Sequence, residues 1–186
     1  MAIAAEAKWM DVEGVPTRYF EAGEGEPILL VTGGHFGNDL AASVVETWDL
    51  NFLPLSRGHR VIAVDKLGQG HTGNPLDRDY TMQATIRHLG AFARKLKLDR
   101  AHVVGQSNGA MAAVNMVRAA PECVASCTII NSSTLAPGVG LNEVYLSGCP
   151  YPRMSRESHR WVFERHALKP AVVSDDIVEA GYAVFQ

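Results

Sequence analysis

Short apolar runs alternate along this chain with segments of helical periodicity, and that alternation restricts the fold more than any other feature of the sequence. The clearest helical segment starts at Thr81, after which apolar side chains recur every three or four residues as far as Leu96. A second helix is predicted at 109–119, and 41–55 has a weaker helical signal. The apolar runs are the length of buried strands and lie at 27–31, 60–65, 101–104 and 124–130. Strands that alternate with helices build a mostly parallel sheet flanked by those helices, so the sequence predicts an α/β fold.

The overall composition is that of an ordinary globular protein. The 186 residues include 17 basic and 20 acidic side chains, and 47% of them are hydrophobic. This balance excludes disorder, collagen and coiled coil as the main class, and it gives no basis for binding nucleic acid or a membrane surface. Glu6 and Lys8 interrupt the apolar N-terminus before a signal peptide could form. An odd, sparse set of three cysteines favours a reducing compartment, so we expect a cytoplasmic protein.

The chain changes character after Asn131. Residues 132–154 are rich in proline and glycine, which predicts a long excursion away from the sheet. Two short helical patterns follow, one capped by Ser155 and ending at His166, the other capped by Ser174. The second pattern reaches the last residues without glycine, proline or a basic last turn. We expect this helix to be interrupted rather than finished.

A G-x-S-x-G motif carries the strongest chemical signal. It runs from Gly105 to Gly109 with Ser107 at its centre, directly after the strand at 101–104 and at the start of the helix at 109–119. Strand, turn and helix in this order are the context of a nucleophile elbow, where a sharp turn exposes the serine hydroxyl above the sheet. The alternative is a plain Gly-Ser turn without chemistry.

A second glycine pair supports the same interpretation. Gly33 and Gly34 follow the strand at 27–31, where folds of this kind place the loop that supplies one amide of an oxyanion hole. A tetrahedral oxyanion needs two converging N–H donors, and the candidates are those of Gly34 and Asn108. The alternative here is an ordinary glycine-rich turn.

Taken together, residues 18–131 resemble the α/β-hydrolase superfamily. They contain, in that family's order, the glycine loop, the stretch DKLGQGHT at 65–72, an amphipathic helix and the GQSNG turn. The phrases EAGEGEPILLVTGG and LKLDRAHVVGQSNGA look most like the lidded meta-cleavage-product hydrolases, which break carbon–carbon bonds, and related esterases. The resemblance implies the N-terminal part of the hydrolase core at 1–133, a partial helical lid at 134–186, and Ser107 as nucleophile. It also implies that Asp65 serves structure rather than chemistry.

The sequence departs from this family at several positions. Thr32 stands where the family usually has histidine, and Gln106 replaces the asparagine often found before the serine. Gly181 occupies the position at which, in the carbon–carbon hydrolases, a lid arginine binds the substrate carboxylate. His35 is either an ordinary loop histidine or takes a local role. The candidate substrate-binding residues are Gly33, His35 and Gln106.

The expected triad partners are missing from the printed sequence. In this fold the acid and the histidine follow the nucleophile, each after a later strand. Only His159 and His166 follow Ser107, both on a predicted lid helix, where either could be the base but packing within the lid is the simpler interpretation. We therefore expect a piece of a longer hydrolase or a chain completed by a partner. A second copy or a completing C-terminal segment would then cover the edge of the strand at 124–130.

No cofactor or metal is expected. The sequence has no dinucleotide fingerprint, Walker loop or H-E-x-x-H motif, and Cys123 and Cys127 lack the nearby ligands of a metal site. We predict a serine hydrolase that cleaves a small ester or a C–C bond of a vinylogous diketone, with a small carbonyl compound as its partner. The alternative is a catalytically silent fragment or binding module. Perhydrolase, thioesterase and epoxide chemistry are further options, and serine at position 107 argues against the last.

Overall fold

The computed structural model describes residue 3 and residues 5–34, 40–136 and 145–185. Their strands form one six-stranded sheet in the order β1-β2-β4-β3-β5-β6. The strand bounds are β1 Lys8–Val12, β2 Val15–Ala22, β3 Pro27–Val31, β4 Arg60–Val64, β5 Ala101–Gln106 and β6 Val124–Ile130.

The sheet is antiparallel at one side and parallel through the rest. Strands β1 and β2 form a hairpin, and β2 also pairs antiparallel with β4. Strand β3 pairs parallel with both β4 and β5, and β5 pairs parallel with β6. The four strands predicted from apolar runs are all present, so the mostly parallel sheet inferred from the sequence is confirmed.

Five α-helices have both ends within the described residues. They are α1 Asp49–Ser56, α2 Met82–Lys95, α3 Asn108–Ala119, α4 Arg156–His166 and α5 Asp175–Ala183. The predicted capping is confirmed at both C-terminal helices, where the hydroxyls of Ser155 and Ser174 accept hydrogen bonds from backbone N–H groups of the first turn. Thr81 caps α2 in the same way.

The helix expected at 41–55 is only partly present. A 3₁₀ turn occupies Val45–Trp48 and the α-helix starts at Asp49. The reason is tertiary: the carbonyl of Leu40 and the N–H of Ala42 bind the side chains of Ser158 and His159 in α4. The N–H of Val45 donates to Asp65 Oδ1 at 2.9 Å. These long-range bonds hold backbone groups that a helix would otherwise use.

The core consists of an apolar layer on each face of the sheet. Leu29 and Val31 of β3 face α2 and α3, whereas Ile28 and Leu30 face the layer that contains Phe52 of α1. Successive residues of a strand point to opposite faces, and both faces here are covered. This is why the parallel strands appear in the sequence as continuous apolar runs rather than as alternating ones.

His88 is a buried histidine between α2 and β2. Its Nε2 lies 3.0 Å from the hydroxyl oxygen of Thr17, and that hydroxyl donates to the carbonyl of Val15. The hydroxyl's single proton is therefore used, so His88 Nε2–H is the donor and the ring is neutral. Burial lowers the pKa of His88 to about 4.

We expect this histidine to make folding stability depend on pH. Because the pKa of His88 is about 4 in the fold and about 6.5 in the unfolded chain, its stabilisation is complete above pH 6.5 and is lost progressively as the pH falls from 6.5 to 4. Urea denaturation should show that the free energy of unfolding is about 2 kcal/mol lower at pH 4.5 than at pH 7. This difference should be absent in His88→Leu. His71→Gln, which changes an exposed histidine, should keep the wild-type loss. If His88→Leu loses as much stability between pH 7 and pH 4.5 as the wild type does, His88 is not the source of the pH dependence.

Candidate active site at the turn between β5 and α3

Ser107 occupies the sharp turn between β5 and α3. Its backbone has φ 53° and ψ −122°, a conformation that L-residues rarely adopt. Its N–H donates to the carbonyl of Ile130 at 2.9 Å, and its carbonyl accepts from Ser132 Oγ at 2.8 Å and from the N–H of Ala110 at 3.0 Å. Strain of this kind costs about 1–3 kcal/mol and persists only where surrounding bonds hold it, as they do here.

The glycines on either side of Ser107 are required by space. A Cβ at Gly105 would lie 2.5 Å from the Cα of Ala110, and one at Gly109 would lie 2.3 Å from the carbonyl oxygen of Thr32. Real Cβ atoms essentially never approach backbone so closely. The turn can therefore be this tight only because these two positions have no side chain.

The loop after β3 lies against the serine. A Cβ at Gly33 would be 2.9 Å from the Cβ of Ser107, and one at Gly34, where φ is +73°, would be 2.0 Å from Ser43 Oγ. The two glycine segments that the sequence suggested are thus brought together. Asn108 is the first residue of α3, and the first N–H groups of a helix have no partner within it.

The side chain of Gln106 joins the turn to the loop. Its Oε1 accepts a hydrogen bond from the N–H of Gly33 at 3.1 Å. Substrate binding by Gln106 and Gly33 stays a prediction, and His35 lies outside the described residues. Thr32, which stands at the family's histidine position, is buried beneath this loop.

Lys66 also contacts the loop, and the sequence analysis assigned it no role. Its side chain has no exposed surface, and Nζ donates to the carbonyl of Gly33 at 2.7 Å and to that of Gly34 at 2.8 Å. Burial lowers the pKa of Lys66 to about 7. The signal in the sequence was a lysine directly after an apolar strand and its aspartate, at the edge of the sheet where the loop lies.

Asp65, next to Lys66, is occupied by structural contacts. Its Oδ2 accepts from Arg18 Nε at 2.6 Å and from the N–H of His71 at 3.1 Å, in addition to the bond from Val45. The guanidinium of Arg18 also binds both carboxylate oxygens of Glu46 at 2.9 Å. These contacts fit the structural role that the resemblance implied for Asp65.

His159 packs among the C-terminal helices. It is fully buried, its Nε2 accepts from the N–H of Ala42 at 2.7 Å, and its ring contacts Phe163 and Phe185. Burial lowers the pKa of His159, which favours its neutral form. Because the lone pair of Nε2 is used by Ala42, this nitrogen is not free to take a proton from Ser107. A Cβ at Gly181 would lie 2.7 Å from the ring, so a side chain at this position would require the ring to move.

Neither metal clusters nor membrane spans occur in the described part of the chain. Over these residues no three His, Cys, Asp or Glu side chains are grouped to hold an ion. Their helices include none that is long and apolar enough to cross a bilayer. The three cysteines are free thiols, and burial raises the pKa of Cys123 and of Cys127.

Comparison with known proteins gives consistent matches. The family model described as alpha/beta hydrolase fold matches residues 26–152. The chain is 35% identical over 130 residues to 2-hydroxy-6-oxo-6-(2'-aminophenyl)hexa-2,4-dienoic acid hydrolase of Metapseudomonas resinovorans. The matched residues cover 69% of this chain and 43% of that protein. It is 26% identical to 2-hydroxymuconate semialdehyde hydrolase of Pseudomonas sp. (strain CF600), over 91% of this chain and 57% of that protein. The chain thus spans about half the length of these curated relatives.

A solved structure extends the likeness to the C-terminal helices. A serine hydrolase involved in carbazole degradation has a TM-score of 0.73 and 28% sequence identity, and the match covers 97% of this chain and 63% of that one. The expected resemblance to meta-cleavage-product hydrolases and the expected fold are therefore confirmed.

Proposed function

We propose, since the chain belongs to the alpha/beta hydrolase fold family, that it is a serine hydrolase with Ser107 as its nucleophile. The observation that carries this proposal is the position of Ser107 at a positive φ between β5 and α3, with Gly33 packed against it. A hydrolase function also agrees with the names of the relatives, which are hydrolases of dienoic acids and of a muconate semialdehyde.

In the proposed reaction Ser107 Oγ attacks a substrate carbonyl and its proton passes to a general base. The carbonyl oxygen becomes an oxyanion that the N–H groups of Gly34 and Asn108 stabilise by hydrogen bonding. Collapse of this intermediate breaks the bond to the leaving group, which takes up the proton, and leaves an acyl ester on Ser107. Water then hydrolyses the ester to a carboxylic acid and restores the hydroxyl.

We propose a small ester or the C–C bond of a vinylogous diketone as the bond cleaved. The likeness to dienoate hydrolases favours the diketone. Glycine at position 181 favours the ester, because it supplies no arginine there to bind a dienoate carboxylate, and His159 packs closely against this position.

Replacing Ser107 with alanine tests the proposal. We expect kcat/KM for p-nitrophenyl butyrate and for a 2-hydroxy-6-oxohexa-2,4-dienoate to fall by about 10³-fold or more, because the attacking oxygen is lost. Ser126→Ala, which removes an exposed hydroxyl on β6, should retain wild-type turnover. Equal activity of Ser107→Ala and wild type would reject the serine mechanism.

The N–H of Ala42 donates to His159 Nε2, so this histidine is not free to act as the base. This favours a second candidate function, a binding module without catalysis. A serine without an activating imidazole is a weak nucleophile. A fluorophosphonate probe separates the two functions, because it reacts quickly only with an activated serine. Rapid labelling that disappears in Ser107→Ala supports the hydrolase, whereas no labelling of the wild type supports the binding module.

A further inference from the structure

The glycine loop beside Ser107 is held by the buried amine of Lys66. Lys66 Nζ lies within 2.8 Å of two carbonyl oxygens, those of Gly33 and Gly34, and its side chain is fully enclosed. The amine donates to both carbonyls, and in its protonated form these hydrogen bonds are stronger than those between neutral groups. The nearest acid in sequence, Asp65, is bonded instead to Arg18, Val45 and His71.

The geometry of the peptide unit connects this contact to the oxyanion hole. In a trans peptide the carbonyl of one residue and the N–H of the next point in opposite directions. When Lys66 holds the carbonyl of Gly33, the N–H of Gly34 therefore points away from Lys66. The N–H of Gly33 is held separately by Gln106 Oε1, so the loop is restrained on both sides of this peptide.

We propose that Lys66 is a positioning residue that orients the Gly34 N–H toward the oxyanion formed at Ser107. This proposal rests on the proposed function, since it needs an oxyanion at that place. Lys66 touches neither substrate nor Ser107 in this role and acts through the Gly33–Gly34 peptide.

The proposal predicts a specific loss in catalysis when Lys66 becomes methionine, a side chain of similar length without a donor. We expect kcat for a p-nitrophenyl ester to fall about 10²-fold with little change in KM, the size of effect seen when one oxyanion donor is lost. Lys66→Arg, which keeps the donors, should retain more of kcat than Lys66→Met. Lys169→Met, which removes an exposed lysine, should match wild type.

A second measurement follows the loop itself and does not need activity. In chain labelled with ¹⁵N-glycine, we expect Lys66→Met to shift the Gly33 and Gly34 amide signals and to speed their hydrogen exchange about tenfold or more. The amides of Gly58 and Gly148 should not change. Unchanged loop signals would overturn the proposal, as would wild-type kcat in Lys66→Met where Ser107→Ala is inactive. If Ser107→Ala is fully active, the serine mechanism fails. Altered signals of Gly33 and Gly34 in Lys66→Met would then still show that Lys66 holds the loop.

Discussion

Gly109→Ala is expected to lose about 4 kcal/mol or more of its free energy of unfolding, an effect large enough to leave little folded protein at 25 °C. The added Cβ would lie 2.3 Å from the carbonyl oxygen of Thr32 and 2.4 Å from that of Val31. Both obstacles are backbone of β3 and its loop, so relief requires α3 to move away from the centre of the sheet. Urea denaturation followed by circular dichroism measures the loss.

The matched control is Gly58→Ala, in the turn between α1 and β4. A Cβ at Gly58 would meet nothing within 4 Å, so this variant should be as stable as wild type or slightly more stable. Equal destabilisation of the two variants would show that the close approach of α3 to β3 does not restrict position 109. Loss only in Gly109→Ala would confirm that the turn around Ser107 depends on this contact.

The parallel part of the sheet could be predicted because both of its faces are buried. Strand β3 is Pro27–Val31 and β6 is Val124–Ile130, the bounds that their apolar runs suggested. Such runs need no knowledge of their neighbours to be recognised. The helix caps at Ser155 and Ser174 were equally local and were also confirmed.

The N-terminal hairpin was missed because its pattern is broken by buried polar residues. Strand β2 contains Thr17 and Arg18, which are both buried and satisfied by partners far along the chain. Their polarity hides the strand from a search for apolar alternation. A usable signal did exist: Glu13 and Gly14, both at positive φ, form a two-residue turn of the kind that closes hairpins.

The candidate site was predictable to the extent that it depends on spacing. The turn at Ser107 and the glycine pair after β3 follow from motifs, and parallel strands bring their ends to one edge of the sheet. The sequence places Lys66 at the end of β4, but its contact with the loop depends on packing across β3 and β4 and was visible only in the structure. For the same reason the burial of His159 against Ala42 was visible only in the structure.

Asp65→Ala should show the second large effect on stability. The carboxylate neutralises part of the charge of Arg18, whose side chain is only 8% exposed, and it also accepts from two backbone N–H groups. Arg18 keeps its bonds to Glu46 in this variant, but its Nε and the two backbone N–H groups lose their buried acceptor. Breaking a buried pair in this way costs about 3 kcal/mol or more. We expect this loss in urea denaturation at pH 7.

An exposed pair of almost the same length provides the comparison. Arg94 Nε and Glu122 Oε1 are 2.7 Å apart, but Glu122 is 55% exposed. Water can replace the lost partner there, so Glu122→Ala should cost far less stability than Asp65→Ala. If the two variants lose equal stability, burial does not determine how much the Arg18–Asp65 contact contributes to the free energy of unfolding. A loss several times larger in Asp65→Ala would mean that the aspartate holds β2, β4 and the 3₁₀ turn together, which keeps Lys66 and the glycine loop in place beside Ser107.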